Sequence, residues 1–551
     1  MHRHSQNCEH GINNSIVDPA KYAGSCFYCA AATGDDTGVP PARTDRRSWL
    51  RSAAAAPFAA WAVTDAAPAS AASSAAKDVP RPPDGTFVVE AGAALVEKNG
   101  ALAIDHGVNI LVRDGVIADM SSKPIKGFPV VDARDDLVLP GFISGHTHVA
   151  GGTSSRGLFE HVRSYRAALQ LVERLPEDEL DAVTAHNLAE ILSAGCTTQV
   201  EMSVSQRQAE SYVRIAKKWN VRGFPGGMIP NTARLFNGLW PRTSDQALRD
   251  AEPETLKEIA QGLAFAKRHM NANGGLIVPM MTIHATDTHT EATMRAVKAA
   301  CVELGTGLHL HHSQSAAEAE LVQKMWNMSP TAWLDSFGLL DQIVFGAHMN
   351  GIDWATEGPI IKAKGEVYSH CPSGGGAGGG SQPYPEALGA GVAVNIGIDT
   401  HSNDFVEDLK LAVLYGRYRA RFLRDRSPVP LTSPTIWHGL DGATRIPADA
   451  LKRPDLGRLK VGAQADITTV DVSGLIAGSG AVGPEPANNL LYCNGRMVRH
   501  VMTQGRIQVF GGRLMVDDQA KVIAAGARVI KKIWAQLEKD GFFNPPAARA
   551  G

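Results

Sequence analysis

Three features of the sequence predict an α/β fold. Eight short apolar segments with the composition of strands recur between residues 137 and 445. Amphipathic segments with helical spacing lie between several of them. The regions on either side have the pattern of short strands joined by turns. Because alternating strands and helices build parallel sheets, eight strand–helix units over this length predict a TIM barrel, with a doubly wound open sheet as the alternative.

Each element of this prediction has its own signal in the sequence. The eight strands are expected to end in the segments GFISGHTH, GCTTQVE, VRGFPGGMI, LIVPMMTIHATD, GLHLHHSQS, IVFGAHM, GEVYSHCP and VAVNIGID. Residues 178–195 carry an apolar stripe at helical spacing, and Gly195 can end that helix. Residues 291–305 repeat the pattern and stop at Gly305. Helices of this kind would cover the outside of a parallel sheet.

Strand patterns also flank the central region. Residues 86–136 contain a hairpin signal at Asp114, which precedes a glycine, and a similar strand pattern returns over residues 446–520. We therefore predict a small β-sandwich domain formed from the two chain ends. It would flank a barrel domain of residues 137–445 and be followed by a C-terminal helix and tail, residues 521–551.

Composition limits the partners that the chain can have. The 551 residues include 54 Lys and Arg and 56 Asp and Glu, a formal net charge of -2. This balance provides no electrostatic basis for binding nucleic acid or an anionic membrane, and no apolar run is long enough to span a bilayer. The seven cysteines are scattered and odd in number, so we expect no disulfide framework. We expect a homo-oligomer that binds a small-molecule substrate.

Residues 1–85 differ from the rest of the chain, and two interpretations of them stay open. Residues 30–82 are rich in Ala, Ser and Pro, which is typical of a disordered or processed segment. Arg46 and Arg47 precede an alanine-rich run and resemble a twin-arginine export signal, which would place the protein in the periplasm or outside the cell. Asp65 interrupts that run, which favours the alternative of a disordered tail on a cytoplasmic protein.

The same segment contains a possible metal knuckle. Cys26 and Cys29 form a CxxC pair, and Cys8 and His10 could complete a tetrahedral zinc site. A single CxxC pair is weak evidence, so the sequence leaves this site open.

Histidines and one aspartate gather where the predicted strands end. His146 and His148 lie one residue apart and share a strand face, because side chains alternate along a strand. Other strands end near His284, His309, His311, His312, His348, His370 and Asp399. A TIM barrel carries its active site at the carboxyl ends of its strands, and imidazole with carboxylate suits a divalent cation. The sequence therefore predicts a metal-dependent active site.

The chain resembles the amidohydrolase superfamily, in particular its branch of cytosine and guanine deaminases and triazine hydrolases. The resemblance lies in LVLPGFISGHTHVAGGTSSRGL, GLHLHHSQSAAEAE, FGAHMNGID, VYSHCPSGG and GAGVAVNIGIDTHSNDFVEDLKLAV, which occur in the family's order. It implies a metal-dependent enzyme in which activated water attacks an sp² carbon and hydrolyses a non-peptide C–N bond. The substrate would be small and cyclic or heteroaromatic, and the enzyme a deaminase or an amide or urea hydrolase.

Two alternatives to this function remain open. One is hydrolytic displacement of chloride or another leaving group from a heteroaromatic ring. The other, from a different class, is a non-catalytic amidohydrolase-like scaffold used in assembly. Retention of the presumed ligands speaks against the scaffold.

The resemblance also implies roles for single residues. His146, His148, His311 and Asp399 would bind one divalent metal ion, zinc or iron(II), and Asp399 would also act as general base. His348 would be a catalytic proton relay that orients the nucleophile. The strand end VPMMTIHATDT lacks the lysine that bridges two metals in dinuclear relatives, which favours a single ion.

Further residues are assigned to the substrate. His284, Arg156 and Gln314 are candidates for contacting it, although Arg156 could equally be a structural ion-pair partner. Gln314 stands where the deaminases have an acid, and an amide cannot deliver a proton. Asp287 or His348 would then have to protonate the leaving group.

Two smaller choices rest on the same motifs. His311 is preferred to His309 as the ligand because aligning it with the motif's histidine also places Glu318 on the motif's later acid. The glycine-rich segment 373–381 is either an active-site loop or a solvent loop.

Overall fold

The structure is a computed structural model that describes residues 83–156, 158, 166–239, 244–377 and 380–544. The predicted export signal and the possible knuckle formed by Cys8, His10, Cys26 and Cys29 lie outside the described residues. Within the described part of the chain, no helix combines the length and the apolar character needed to cross a membrane.

The described residues form sixteen strands. In chain order they are β1 (Phe87–Lys98), β2 (Ala101–Arg113), β3 (Val116–Ser121), β4 (Val130–Pro140), β5 (Phe142–Thr147), β6 (Cys196–Ser203), β7 (Arg222–Gly227), β8 (Met281–Ala285), β9 (Leu308–His312), β10 (Val344–His348), β11 (Val367–His370), β12 (Val394–Ile396), β13 (Ile467–Asp471), β14 (Val498–Thr503), β15 (Arg506–Phe510) and β16 (Arg513–Leu514).

The α-helices lie mostly between and after the central strands. They are α1 (Gly152–Ser155), α2 (Arg166–Glu173), α3 (Glu177–Ser193), α4 (Gln206–Trp219), α5 (Thr232–Arg234), α6 (Asp245–His269), α7 (Ala272–Gly275), α8 (Glu291–Leu304), α9 (Ala316–Trp326), α10 (Pro330–Ser336), α11 (Gly358–Lys364), α12 (Pro372–Ala377), α13 (Tyr384–Ala390), α14 (Phe405–Leu423), α15 (Ile436–Ala443), α16 (Arg445–Ala450) and α17 (Gln519–Lys539). A π-helical turn, Leu235–Leu239, follows α5.

The eight strands expected in the central region are β5 to β12, and their ladders are all parallel. Strands β5 to β7 form one sheet and β8 to β12 another. Isolated parallel bridges join Gly223 to Ile277, just before β8, and Thr147 to Asp399, just after β12. The predicted α/β class with parallel strands is therefore confirmed, and the bridges at both ends of the strand order are consistent with a TIM barrel.

The two helices predicted most clearly from the sequence are α3 and α8. Gly195 follows α3 with φ +88°, and Gly305 ends α8 with φ +68°, a region in which a residue with a Cβ is strained. At the start of α8 the hydroxyl of Thr290 accepts a hydrogen bond from the backbone N–H of Thr293. Local capping residues therefore set where these helices stop and start.

Strands from the two ends of the chain pair as the sequence indicated. They form one eight-stranded sheet in the order β16-β15-β14-β13-β4-β1-β2-β3, in which β13 pairs antiparallel with β4. Asp114 and Gly115 both have positive φ, 51° and 79°, as a two-residue hairpin between β2 and β3 requires. That this sheet is a separate sandwich domain stays a prediction.

Candidate active site

The predicted ligands lie at or just after the carboxyl ends of three central strands. His146 belongs to β5 and His148 follows it, His311 lies in β9, and Asp399 follows β12. All four side chains are buried, with between 0% and 6% of their surface exposed. Because parallel strands present their carboxyl ends on one side, residues 253 positions apart along the chain, as His146 and Asp399 are, meet there.

The distances among these four residues permit joint coordination. The Nε2 atoms of His148 and His311 are 3.3 Å apart. Oδ1 of Asp399 lies 3.6 Å from Nε2 of His148 and 3.8 Å from Nε2 of His146. His348, from the end of β10, offers a ring nitrogen that lies within 4.8 Å of nitrogens of His146 and His311. The structure thus brings together every residue that the sequence assigned to the metal or to catalysis.

Backbone carbonyls behind two of the rings determine which nitrogen faces the centre. Nδ1 of His148 lies 2.6 Å from the carbonyl oxygen of Met202, and Nδ1 of His311 lies 2.8 Å from that of His284. A carbonyl oxygen only accepts hydrogen bonds, so both rings carry their hydrogen on Nδ1. Their Nε2 lone pairs are therefore directed to the shared centre, as metal-ligating histidines require.

The residues present fit a divalent cation. Nε2 of His146, Nε2 of His348 and both carboxylate oxygens of Asp399 are buried without a hydrogen-bond partner among the described residues. Buried polar atoms are costly when they are left unpaired, and so many in one place indicate a missing charged partner. Three imidazole nitrogens and one carboxylate form a donor set that suits zinc or iron(II).

Burial holds the imidazoles of this cluster in the neutral form that binds metal. Removal from water lowers the pKa of His148 to about 4 and that of His348 to about 3. The same cause, with neighbouring imidazoles, keeps the pKa of His146 and of His311 well below the usual value. These rings are therefore neutral at neutral pH, with lone pairs available for a cation. Burial raises the pKa of Asp399 to about 7.

The backbone at the two residues assigned to catalysis is unusual. His348 has φ +77° and Asp399 has φ +63°, in the left-handed region that residues with a Cβ rarely adopt. Such conformations cost about 1–3 kcal/mol each and concentrate at active sites. Neither position was distinguishable from ordinary strand ends in the sequence.

Two buried carboxylates brace the segments that carry the ligands. Glu201, at the end region of β6, accepts hydrogen bonds from the hydroxyl of Thr147 at 2.6 Å and from the backbone N–H of Val149 at 3.1 Å. Glu318 accepts from the backbone N–H groups of Ser313 at 3.2 Å and Gln314 at 2.7 Å. Sequence reasoning missed Glu201, although an acid in the apolar strand GCTTQVE was a signal that could have found it.

The glycine-rich segment approaches the site at one point. A Cβ at position 374 would lie 2.5 Å from Oδ2 of Asp399, closer than real side chains allow. Glycine is therefore needed for α12 to pack against this carboxylate. This contact favours the interpretation of the segment as part of the active site.

The predicted substrate contacts divide between two places. His284 and Gln314 line a cavity together with His148 and His311. The cavity is completed on its apolar side by Leu169, Val204, Met228, Leu235 and Phe236.

Arg156 lies in a different cleft, beside Asn403 and Tyr415. Its guanidinium donates to both carboxylate oxygens of Glu190, at 3.2 and 2.8 Å, and 43% of the side chain is exposed. A substrate role for Arg156 therefore stays a prediction, and the structural alternative that the sequence left open has a direct contact to support it.

Parallel strands with buried imidazole and carboxylate groups at their carboxyl ends are the arrangement of a metal-dependent hydrolase. A sequence model described as "Amidohydrolase family" matches residues 137–508. The chain therefore belongs to the amidohydrolase family, as its motifs indicated.

Comparisons with individual proteins agree with this assignment. The 5-methylthioadenosine/S-adenosylhomocysteine deaminase of Desulfitobacterium hafniense (strain DSM 10664 / DCB-2) is 25% identical over 444 residues, 77% of this chain and 90% of the relative. An adenosine deaminase structure from Xanthomonas campestris with bound zinc matches with a TM-score of 0.68 and 21% identity, covering 82% of this chain and 100% of that one. The atrazine chlorohydrolase of Arthrobacter aurescens TC1 complexed with zinc gives a TM-score of 0.66 and 20% identity, covering 81% and 100%. At this identity the structural matches show a shared fold.

Proposed function

We propose that this protein hydrolyses the bond between an sp² ring carbon and an amino substituent of a small heteroaromatic compound, releasing ammonia. The observation that carries the proposal is the buried cluster of His146, His148, His311 and Asp399, with His348 beside it. This cluster borders a cavity that has both apolar and polar walls. The deaminases among its relatives support an amino group as the substituent.

The proposal includes the architecture around the site. Strands β5 to β12 would close into a TIM barrel, and the eight-stranded sheet of the chain ends would flank it as a separate sandwich domain. The bridges from Gly223 to Ile277 and from Thr147 to Asp399 support closure, because each joins an edge strand of one central sheet to the other sheet.

His146, His148, His311 and Asp399 would hold one divalent cation, and the zinc in the neighbouring structures favours zinc over iron(II). A cation held there lowers the pKa of a water toward ~7 and so supplies a nucleophile at neutral pH.

Residues of the chain itself would then transfer protons and stabilise the charge that develops during the reaction. Asp399, buried at the same centre, can take a proton from the attacking water and pass it on. His348 faces the same centre with an unpartnered Nε2, from which a hydrogen bond could stabilise charge that develops on the substrate. One such donor contributes about 3 kcal/mol.

Gln314 gives a reason to consider a second function. An amino group must gain a proton before it leaves a ring, whereas chloride leaves without one. Gln314 lines the cavity at the position of the expected acid and cannot donate a proton as an acid does. Displacement of chloride from a heteroaromatic ring is therefore the second candidate. For ammonia release the sequence offers Asp287 or His348 as the donor, and burial and the neighbouring Glu318 raise the pKa of Asp287 well above the usual value.

The experiment compares both leaving groups on matched rings. Purified zinc-loaded protein is supplied with aminopurines, aminopyrimidines and aminotriazines and with their chloro counterparts, and released ammonia and chloride are measured. We expect ammonia from at least one ring. In the Gln314→Glu variant, ammonia release should rise by about 10²-fold, the usual contribution of a general acid, while chloride release should not rise.

A Gln314→Asn variant serves as the control for altered shape without an added acid. Chloride release without ammonia release by the native protein would establish the second candidate instead. A protein that holds one metal per chain but releases neither product from any ring would contradict both.

A further inference from the structure

The third imidazole of the cluster is held differently from the other two. Nδ1 of His146 lies 2.8 Å from Nε2 of His309, and the two rings are nearly perpendicular at 89°. Both side chains are buried, with 0% exposure. His309 lies two residues before His311 in β9 and shares its strand face. This strand therefore places the ring of His311 at the centre and the ring of His309 behind His146.

A hydrogen bond between two ring nitrogens needs one N–H and one lone pair. If His146 donates through Nδ1–H, its Nε2 carries a lone pair toward Asp399, 3.8 Å away. If His309 donates instead, the hydrogen of neutral His146 sits on Nε2, and that atom cannot bind a cation. Only the first arrangement allows His146 to act as a ligand through Nε2.

His148 and His311 have no such choice, since their Nδ1 atoms face carbonyl oxygens that only accept. His309 can either accept or donate, and its own Nδ1 is buried with no hydrogen-bond partner among the described residues. The tautomer of His146 therefore depends on His309 acting as acceptor.

We propose that His309 is a positioning residue: its Nε2 accepts a hydrogen bond from Nδ1 of His146 and thereby directs the Nε2 lone pair of His146 to the cation. His309 is then neither a ligand nor a group that contacts substrate. This inference rests on the proposed metal site but not on the identity of the substrate.

The test uses two variants of His309 that differ in how well the side chain accepts a hydrogen bond. Glutamine reaches about as far as the histidine Nε2 and has an acceptor oxygen, whereas methionine has a similar length and only a weak acceptor. Zinc affinity of the full chain is measured by competition with a chelator. We expect His309→Met to lower zinc affinity by about 10- to 100-fold, the usual effect of removing such a partner, and His309→Gln to restore most of it.

A neighbouring buried histidine provides the matched control. His312 also lies in β9 with 0% exposure, but its Nδ1 pairs with Glu366 at 2.7 Å and not with a ligand. His312→Met should lower thermal stability without the same loss of zinc affinity. Nitrogen NMR of the zinc-loaded native protein should show the hydrogen of His146 on Nδ1.

The outcomes separate this inference from the function proposed above. Equal zinc affinity in the native protein and in folded His309→Met, or equal loss in the glutamine and methionine variants, would overturn the role of His309 while leaving the metal site intact. Native protein that binds no zinc, iron(II) or other divalent metal would overturn both.

Discussion

Buried polar groups occur in two regions of this protein. In one region they pair with each other, and in the other some of their atoms have no hydrogen-bond partner among the described residues. Where the first residue of β7 meets the eight-stranded sheet, Nε of Arg222 donates to Oδ2 of Asp466 at 2.8 Å. Asp466 also accepts from the backbone N–H of Gln504 at 2.7 Å, so this charged pair is complete without any ligand. At the opposite ends of the central strands, Asp399 and His146 retain buried atoms with no partner among the described residues.

Whether a buried polar group is fully paired within the protein distinguishes a structural group from a candidate functional one. Both regions take charge out of water, which is costly unless the charge is paired. The pair at the amino end of β7 is neutralised by the protein itself and can contribute to stability. The cluster at the carboxyl ends has no such complete pairing among the described residues, and it lies at the end of the strands where α/β barrels carry their active sites.

The largest effect should follow from changing the unpaired carboxylate. Asp399→Asn keeps the shape but removes the charge and the proton acceptor. We expect kcat/KM to fall by about 10³- to 10⁴-fold while the protein remains folded, because the proposed carboxylate ligand and general base are both removed. Turnover and circular dichroism would be measured together. Asp466→Asn is the control, and an equal loss of turnover per folded molecule in that variant would contradict the division between the two regions.

The next effect is on stability rather than turnover. Arg222→Met leaves Asp466 buried without its partner, so we expect the free energy of unfolding to fall by about 3–5 kcal/mol. Denaturant unfolding measures this change. The exposed pair of Lys98 and Asp105, with side chains 55% and 36% exposed, is the matched control, and Lys98→Met should cost about 1 kcal/mol or less. If both variants lost the same amount, burial would not be the cause.

A third expectation concerns pH in the metal-free protein. Burial raises the pKa of Asp399 from 3.8 to about 7, so the folded state holds this proton more tightly than the unfolded state does. Ionised Asp399 therefore destabilises the metal-free fold above pH 7, and the cost disappears as the pH falls from about 7 toward 3.8. Metal-free Asp399→Asn should have a higher Tm than the metal-free native protein at pH 8.

That difference in Tm should shrink steadily toward pH 4, since the native carboxyl becomes neutral in both states. Thermal unfolding in the presence of a chelator, at several pH values, measures it. A difference that is the same at every pH would show that the charge of Asp399 is not responsible. Adding zinc should reverse the order if Asp399 is the proposed ligand, because only the native protein then retains that carboxylate.

The smallest effect is expected at Arg156. Its pair with Glu190 is partly exposed, and such pairs contribute about 1 kcal/mol or less. Arg156→Ala should therefore change stability little and leave kcat/KM unaltered, as measured by denaturant unfolding and steady-state kinetics. A clear rise in KM with kcat unchanged would instead support the substrate contact that the sequence allowed.

The amino-acid sequence alone predicts the secondary-structure elements and the chemical groups available at their ends. Local patterns predict these features, because strand and helix periodicity extends over only a few residues. They include the apolar runs of β5 to β12, the apolar stripes of α3 and α8 and the family's motifs. That His146 and His148 share one strand face is also a local property, because side chains alternate along a strand. The cluster of candidate ligands could therefore be predicted from the amino-acid sequence alone.

The partners of those residues depend on the packing of segments that are far apart along the chain. The pairing of Arg222 with Asp466, 244 positions apart, and the bracing of Thr147 by Glu201 depend on which strands become neighbours. His309 and His311 share one strand face, and the sequence distinguished them only through the motif's later acid. In the structure His309 lies behind His146 and His311 lies beside His148. The physical reason is that hydrogen bonding and burial are set by packing between distant segments, which no local pattern records.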